Sequence, residues 1–75
     1  MDKAFVLINA EIGAEADVLN KVSRIPEVKE AYMVYGVYDV VTVVEATTME
    51  ELRDVIAQRI RRIDKVRSTT TMVVL

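Results

Sequence analysis

The spacing of apolar residues along the chain switches between every second position and about every 3.6 positions, and each switch predicts a new element. Residues 5–12 alternate as a β-strand does. One face of this strand carries Val6, Ile8, Ala10 and Ile12. Phe5 and Leu7 add apolar groups to the opposite face, and Gly13 ends the segment. The pattern therefore predicts a strand that is covered on both faces.

Two segments have apolar residues at helical spacing. The first covers residues 14–25 and ends before Pro26, because the residue that precedes a proline is disfavoured in the α conformation. Its apolar stripe consists of Ala14, Val18, Val22 and Ile25. The second begins at a capping box, which is either Thr48 with Glu51 or Thr47 with Glu50. Its predicted buried stripe consists of Leu52, Val55, Ile56, Ile60 and Ile63.

Three further strands are predicted over residues 28–35, 38–46 and 66–75, all rich in β-branched or aromatic residues. The strand over 38–46 is apolar on both faces, as expected of a central strand. Gly36 and Val37 separate two of the strands, and this spacing predicts a tight hairpin in which glycine takes a positive φ.

The resulting element order, βαββαβ, contains a faint internal repeat. The segment Arg24–Lys29 resembles Arg62–Arg67 at an offset of 38 residues. Two such halves predict an α+β, ferredoxin-like fold, with a four-stranded antiparallel sheet and two helices on one of its faces. The strands are apolar on both sides, so the sheet face without helices also needs a cover. We expect a second copy of the chain to pack on it and form a dimeric α/β sandwich.

Composition supports this interpretation. Seventy-five residues make one domain, here 1–75, whose own core supplies only a few kcal/mol of stability. The sequence has no cysteine and no histidine, which excludes disulfides, thiolate metal sites and imidazole ligands. Small domains also gain stability by oligomerisation, and 52% hydrophobic residues favour that route.

The same counts narrow the range of functions. No Ser-His or Cys-His pair is possible, so we expect no enzyme and no cofactor. A net charge of −2 gives no overall attraction to nucleic acid or anionic membranes. We interpret the basic residues as helix-end and ion-pairing groups; they are Arg59, Arg61, Arg62, Lys65 and Arg67. The first residues, Met1–Ala4, show neither the basic stretch nor the cleavage motif of a signal peptide, and we expect a cytoplasmic protein.

The Gly-Val-Tyr-Asp step at residues 36–39, together with the Thr-rich segment 66–74, resembles the effector domain of the Lrp/AsnC transcriptional regulators. This domain is also called RAM, for regulation of amino-acid metabolism, and the resemblance covers essentially all of the chain. Family regulators carry a helix-turn-helix domain before it. This chain begins at the first strand, so we expect a stand-alone form that does not bind DNA directly.

The resemblance implies a ligand site for a free amino acid. We expect Asp39 to hold the ammonium group and backbone amides around Gly36 to hold the carboxylate. The predicted ligand-binding residues are Gly36, Val37, Tyr38, Asp39, Thr69 and Thr71. The alternative for Gly36 and Asp39 is a structural role in the turn. The threonines are alternatively strand-forming residues, and Tyr38 a packing residue.

The resemblance also implies an assembly and partners. We expect a ring of dimers, and full-length regulators of the family are candidate partners. The alternative function is that of an ACT-like regulatory subunit of a metabolic enzyme. ACT domains usually place a Gly-rich loop after the first strand, where this chain has only Gly13.

Overall fold

A computed structural model describes all residues, 1–75. Its elements follow the predicted order βαββαβ. They are β1 (Asp2–Ala10), α1 (Glu15–Ser23), β2 (Val28–Met33), β3 (Val40–Ala46), α2 (Met49–Asp54), a π-helical continuation of α2 (Val55–Ile60) and β4 (Val66–Val73).

The four strands form one antiparallel sheet in the order β2-β3-β1-β4. Ile8 lies opposite Val40 on one side and opposite Thr69 on the other, which fixes the register at the centre of the sheet. Both helices pack on the face that carries Ile8, which we call the helix-facing side. The ferredoxin-like prediction is therefore confirmed.

The core lies between this side of the sheet and the two helices. Val18 and Val22 of α1 and Leu52 of α2 have no exposed surface, and Ile60 at the end of the π-helical segment is equally buried. Each such side chain contributes about 1.5–3 kcal/mol relative to an exposed position. Thr42 is the one buried polar residue, and its hydroxyl donates a 3.0 Å hydrogen bond to the Val6 carbonyl. The core therefore contains no buried side-chain polar atom without a partner.

The opposite side of the sheet, which we call the open face, has no helix packed on it. Phe5 lies at its centre, opposite Val43 of β3 and Met72 of β4. Val43 is buried, whereas Phe5 and Met72 are 38% and 49% exposed. Tyr32 of β2 is also exposed there and donates a 2.7 Å hydrogen bond to Glu30. The open face thus presents apolar and aromatic surface at its middle.

The predicted tight hairpin at Gly36 is wrong. Strand β2 ends at Met33 and β3 begins at Val40, so a loop of residues 34–39 joins them. The Val34 amide donates to the Asp39 carbonyl at 2.9 Å and closes the loop. Gly36 does not have a positive φ, because a loop of this length needs no left-handed residue there.

The prediction also extended β1 too far. Ile12, expected on the buried face, is 95% exposed, and the strand ends at Ala10. The pairing of β1 with β4 shifts between Asn9 and Ala10. The Glu11 amide donates to the Lys65 carbonyl at 2.9 Å, outside the regular ladder, and Gly13 then turns the chain with φ 87°.

The start of the second helix agrees with prediction. Thr48 is the N-cap, and its Oγ1 accepts a 3.1 Å hydrogen bond from the Glu51 amide. The π-helical turn that follows was not predicted. There the Arg61 amide donates to the Ile56 carbonyl, five residues back, at 3.0 Å. Apolar spacing does not distinguish a π-helical turn from an α-helical one.

Candidate functional site

The candidate site lies where β1 ends and β3 begins, and Asp39 joins the two strands. Its backbone amide donates a 2.9 Å hydrogen bond to the Ile8 carbonyl. Its carboxylate oxygen Oδ2 accepts a 2.9 Å hydrogen bond from the Ala10 amide. The carboxylate thus takes the place of a backbone acceptor where the strand ladder ends. Oδ1 has no hydrogen-bond partner within the chain and is free to accept one from a ligand.

A polar hollow of about 270 Å³ opens beside this carboxylate. It is lined by Asn9, Ala10, Asp39, Arg67 and Ser68. The Asn9 amide nitrogen donates to the Ser68 hydroxyl at 3.2 Å. Arg67 and Asp39 do not form an ion pair with each other, since the chain's two ion pairs are Lys21–Asp17 and Arg59–Glu27. The hollow therefore offers one unpaired negative and one unpaired positive side chain.

The irregular pairing of β1 explains why Arg67 reaches the hollow. Asn9 lies opposite Ser68 and Ala10 opposite Val66, so Arg67 is an extra residue with no partner on β1. Such a bulge re-aims a side chain and is common beside functional sites. Sequence reasoning missed Asn9, Arg67 and Ser68 as site residues. The available signal was Asn9, a polar residue that interrupts an apolar strand.

Tyr38 lies close to the Thr-rich strand, but to a threonine other than the two predicted. Its hydroxyl is 3.2 Å from Oγ1 of Thr70, which lies opposite Leu7 on the open face. Thr69 and Thr71 lie opposite Ile8 and Val6, and so belong to the helix-facing side. The structure therefore brings Tyr38 and Thr70 together and separates them from Thr69 and Thr71.

Gly36 and Val37 occupy the exposed tip of the loop. Val37 is 85% exposed, and an added Cβ at Gly36 would meet no atom within 4 Å. Within one chain neither residue lines the hollow beside Asp39. A ligand role for the six predicted residues stays a prediction.

Other chemistry in the chain is sparse. A hydrogen bond and the negative charge of Glu30 raise the pKa of Tyr32, which lies on the open face. No group of three or more acidic side chains is placed to hold a metal ion. Neither helix has the length and apolar character needed to cross a bilayer.

Comparison with known proteins gives a family. The model of the Lrp/AsnC ligand binding domain matches residues 3–75. The solved structure of FFRP-DM1 is 40% identical, with a TM-score of 0.95 and 100% coverage of both chains. E. coli AsnC is 29% identical, with a TM-score of 0.91 over 99% of this chain and 50% of its own. A search of curated proteins found no match.

A more distant likeness concerns the fold alone. The transcriptional regulator NMB0573 from Neisseria meningitidis, solved as a complex with L-Met, is 20% identical, with a TM-score of 0.86. The match covers 99% of this chain and 49% of the regulator's chain. The family match over nearly the whole chain favours the Lrp/AsnC resemblance over the ACT-like alternative. This chain belongs to the Lrp/AsnC ligand binding domain family.

Proposed function

We propose that this domain binds a free amino acid in the hollow beside Asp39 and that the bound ligand regulates how the domain assembles. The observation that carries the proposal is that Asp39 and Arg67, which form no ion pair with each other, line the same hollow of about 270 Å³. A free amino acid is a zwitterion and needs an anion for its ammonium group and donors for its carboxylate. The family is a ligand-binding one, which supports a regulatory role without catalysis.

Each charged group of the ligand has a counterpart in the hollow. Oδ1 of Asp39 would accept from the ammonium group, while Oδ2 keeps its bond to the Ala10 amide. The planar guanidinium of Arg67 matches a carboxylate, with which it forms two parallel hydrogen bonds. Tyr38 would form the adjoining wall. Thr69 and Thr71 are left out, because they lie on the helix-facing side.

The proposed assembly starts with the open face. A second copy packed there would cover Phe5, Tyr32 and Met72, which are exposed in a single chain. Such twofold packing of one patch on itself is the commonest form of homodimer. The exposed loop tip at Gly36 and Val37 would then contact a neighbouring dimer in a ring and close the hollow from outside.

The open face also indicates which protein partners this domain would bind. The chain corresponds to half the length of E. coli AsnC, so its open face would also accept the equivalent domain of a full-length regulator. Residues 1–75 hold two helices, each packed on the sheet, and carry a net charge of −2. We therefore propose that they regulate from the cytoplasm by binding protein and ligand rather than duplex DNA.

A thermal-shift screen against the standard amino acids would identify the ligand. A ligand present at about one hundred times its Kd stabilises the native state by about 2.7 kcal/mol. For a domain of this size that corresponds to a rise in Tm of about 10 °C or more. Calorimetry with the best amino acid would then compare the parent with Asp39→Asn and with Asp54→Asn.

Asp39→Asn removes the charge but keeps an oxygen that can accept from the Ala10 amide, so the fold should be retained. We expect its affinity to fall about tenfold to a hundredfold, the range for a lost charge-assisted hydrogen bond. Asp54→Asn makes the same charge change on an exposed helix position and should bind like the parent. Equal affinity for all three proteins would place the site away from Asp39.

A further inference from the structure

A second depression lies between α2 with its π-helical continuation and the edge strand β4; we call it the α2 groove. Its volume is about 220 Å³. The apolar lining consists of Met49, Leu52, Ile56, Ala57 and Val73. Thr71 completes the wall on β4. The groove lies on the helix-facing side, whereas the hollow beside Asp39 lies at the end of β1.

The charged residues of the α2 groove are all of one sign. Arg53 and Arg61 line it, and no aspartate or glutamate does. Neither arginine forms an ion pair or a side-chain hydrogen bond, since Arg59 is the one arginine of the chain that does. Two free guanidinium groups in a mainly apolar lining match a ligand that has an aliphatic body and a single anionic end.

The helix turn beside the groove is itself unusual. The segment Val55–Ile60 is π-helical, and the bond from the Arg61 amide to the Ile56 carbonyl joins two residues that both line the groove. Short π-helical turns within α-helices occur frequently at functional sites. Ala57, in the same turn, lines the groove with a small side chain.

From these observations we infer that the α2 groove binds a short aliphatic monocarboxylate that carries no ammonium group. The charges separate this ligand from the one proposed beside Asp39, where both signs are present. An ammonium group in the α2 groove would face two cations and no acceptor carboxylate. The groove is smaller than the roughly 300–1,000 Å³ of pockets for drug-sized ligands, which suits a molecule of a few carbons.

Heteronuclear NMR titration of the full chain tests the inference with three matched six-carbon probes: hexanoate, hexanamide and 2-aminohexanoate. We expect hexanoate to shift the resonances of Met49, Ala57 and Val73 with saturation. Hexanamide lacks the charge, and 2-aminohexanoate adds an ammonium group. Both should bind at this groove at least about tenfold more weakly, since they lose or oppose the charge-assisted hydrogen bonds. A parallel titration with 2-oxohexanoate distinguishes a fatty acid from a 2-oxo acid as the preferred ligand.

Variants locate the binding. Ala57→Leu fills the groove from an exposed helix position and should abolish the hexanoate shifts. Arg53→Gln and Arg61→Gln should each weaken binding about tenfold, while Arg24→Gln at the end of α1 should not. Absence of saturable shifts with hexanoate, or unchanged hexanoate binding by Ala57→Leu, would overturn the inference. Amino-acid binding by Asp39 is measured separately and is unaffected by either result.

Discussion

Asp39 is expected to stabilise the fold as well as to bind ligand, and substitution separates the two roles. Asp39→Ala removes the acceptor of the Ala10 amide, a 2.9 Å bond at the end of the β1–β3 ladder. Hydrogen bonds to charged groups contribute about 1.5–3 kcal/mol. Because Asp39 is only half-buried, we expect a loss near the lower end, about 1–2 kcal/mol. That loss corresponds to a fall in Tm of about 5–15 °C.

Asp39→Asn should lose less than half as much stability, because its amide oxygen can still accept from Ala10. The assay is thermal unfolding followed by circular dichroism, at one fixed protein concentration, since assembly makes Tm depend on concentration. Light scattering on each variant should give the same mass as the parent. If Asp39→Ala proves as stable as the parent in the same assembly state, the bond to Ala10 does not hold β1 to β3.

Three further predictions concern the helix cap, the open face and a tyrosine. Thr48→Ala should reduce the free energy of unfolding by about 1 kcal/mol in denaturant titration, whereas Thr47→Ala, one residue earlier, should change it little. Phe5→Asp puts a charge at the centre of the open face, so light scattering should show a smaller assembly with the sheet retained; an unchanged mass would argue against this interface. Glu30→Gln should lower the pKa of Tyr32 toward 10.0 in an absorbance titration, because it weakens the hydrogen bond and removes the negative charge that together raise this pKa; an unchanged pKa would contradict these causes.

The fold was predictable because the central strands are nearly continuous apolar runs and both helices have a stripe of apolar residues at helical spacing. Val6 and Ile8 alternate with Phe5 and Leu7, and both faces of β1 are in fact apolar. The loop before Asp39 was not predictable in the same way. Glycine permits a positive φ but does not require one, and Gly36 lies in open space at a loop tip.

The lining of the hollow beside Asp39 was predicted only in part, for a reason of geometry. Asp39 was singled out through a short motif, but its hydrogen bond to Ala10 joins residues that are 29 positions apart. Arg67 reaches the hollow through a shift in strand pairing that a single sequence does not reveal. Strict alternation correctly places Thr70 on the other face of the sheet from Thr69 and Thr71. It does not say which of the two faces Tyr38 contacts.

The most direct test of amino-acid binding beside Asp39 is an NMR titration with the amino acid that raises the Tm most. We expect saturable shifts of backbone amides around the hollow, with the largest at Ala10, Asp39, Arg67 and Ser68. Resonances of the α2 groove, such as that of Ala57, should remain in place. Saturable shifts confined to the α2 groove, or to residues far from Asp39, would contradict the proposed site.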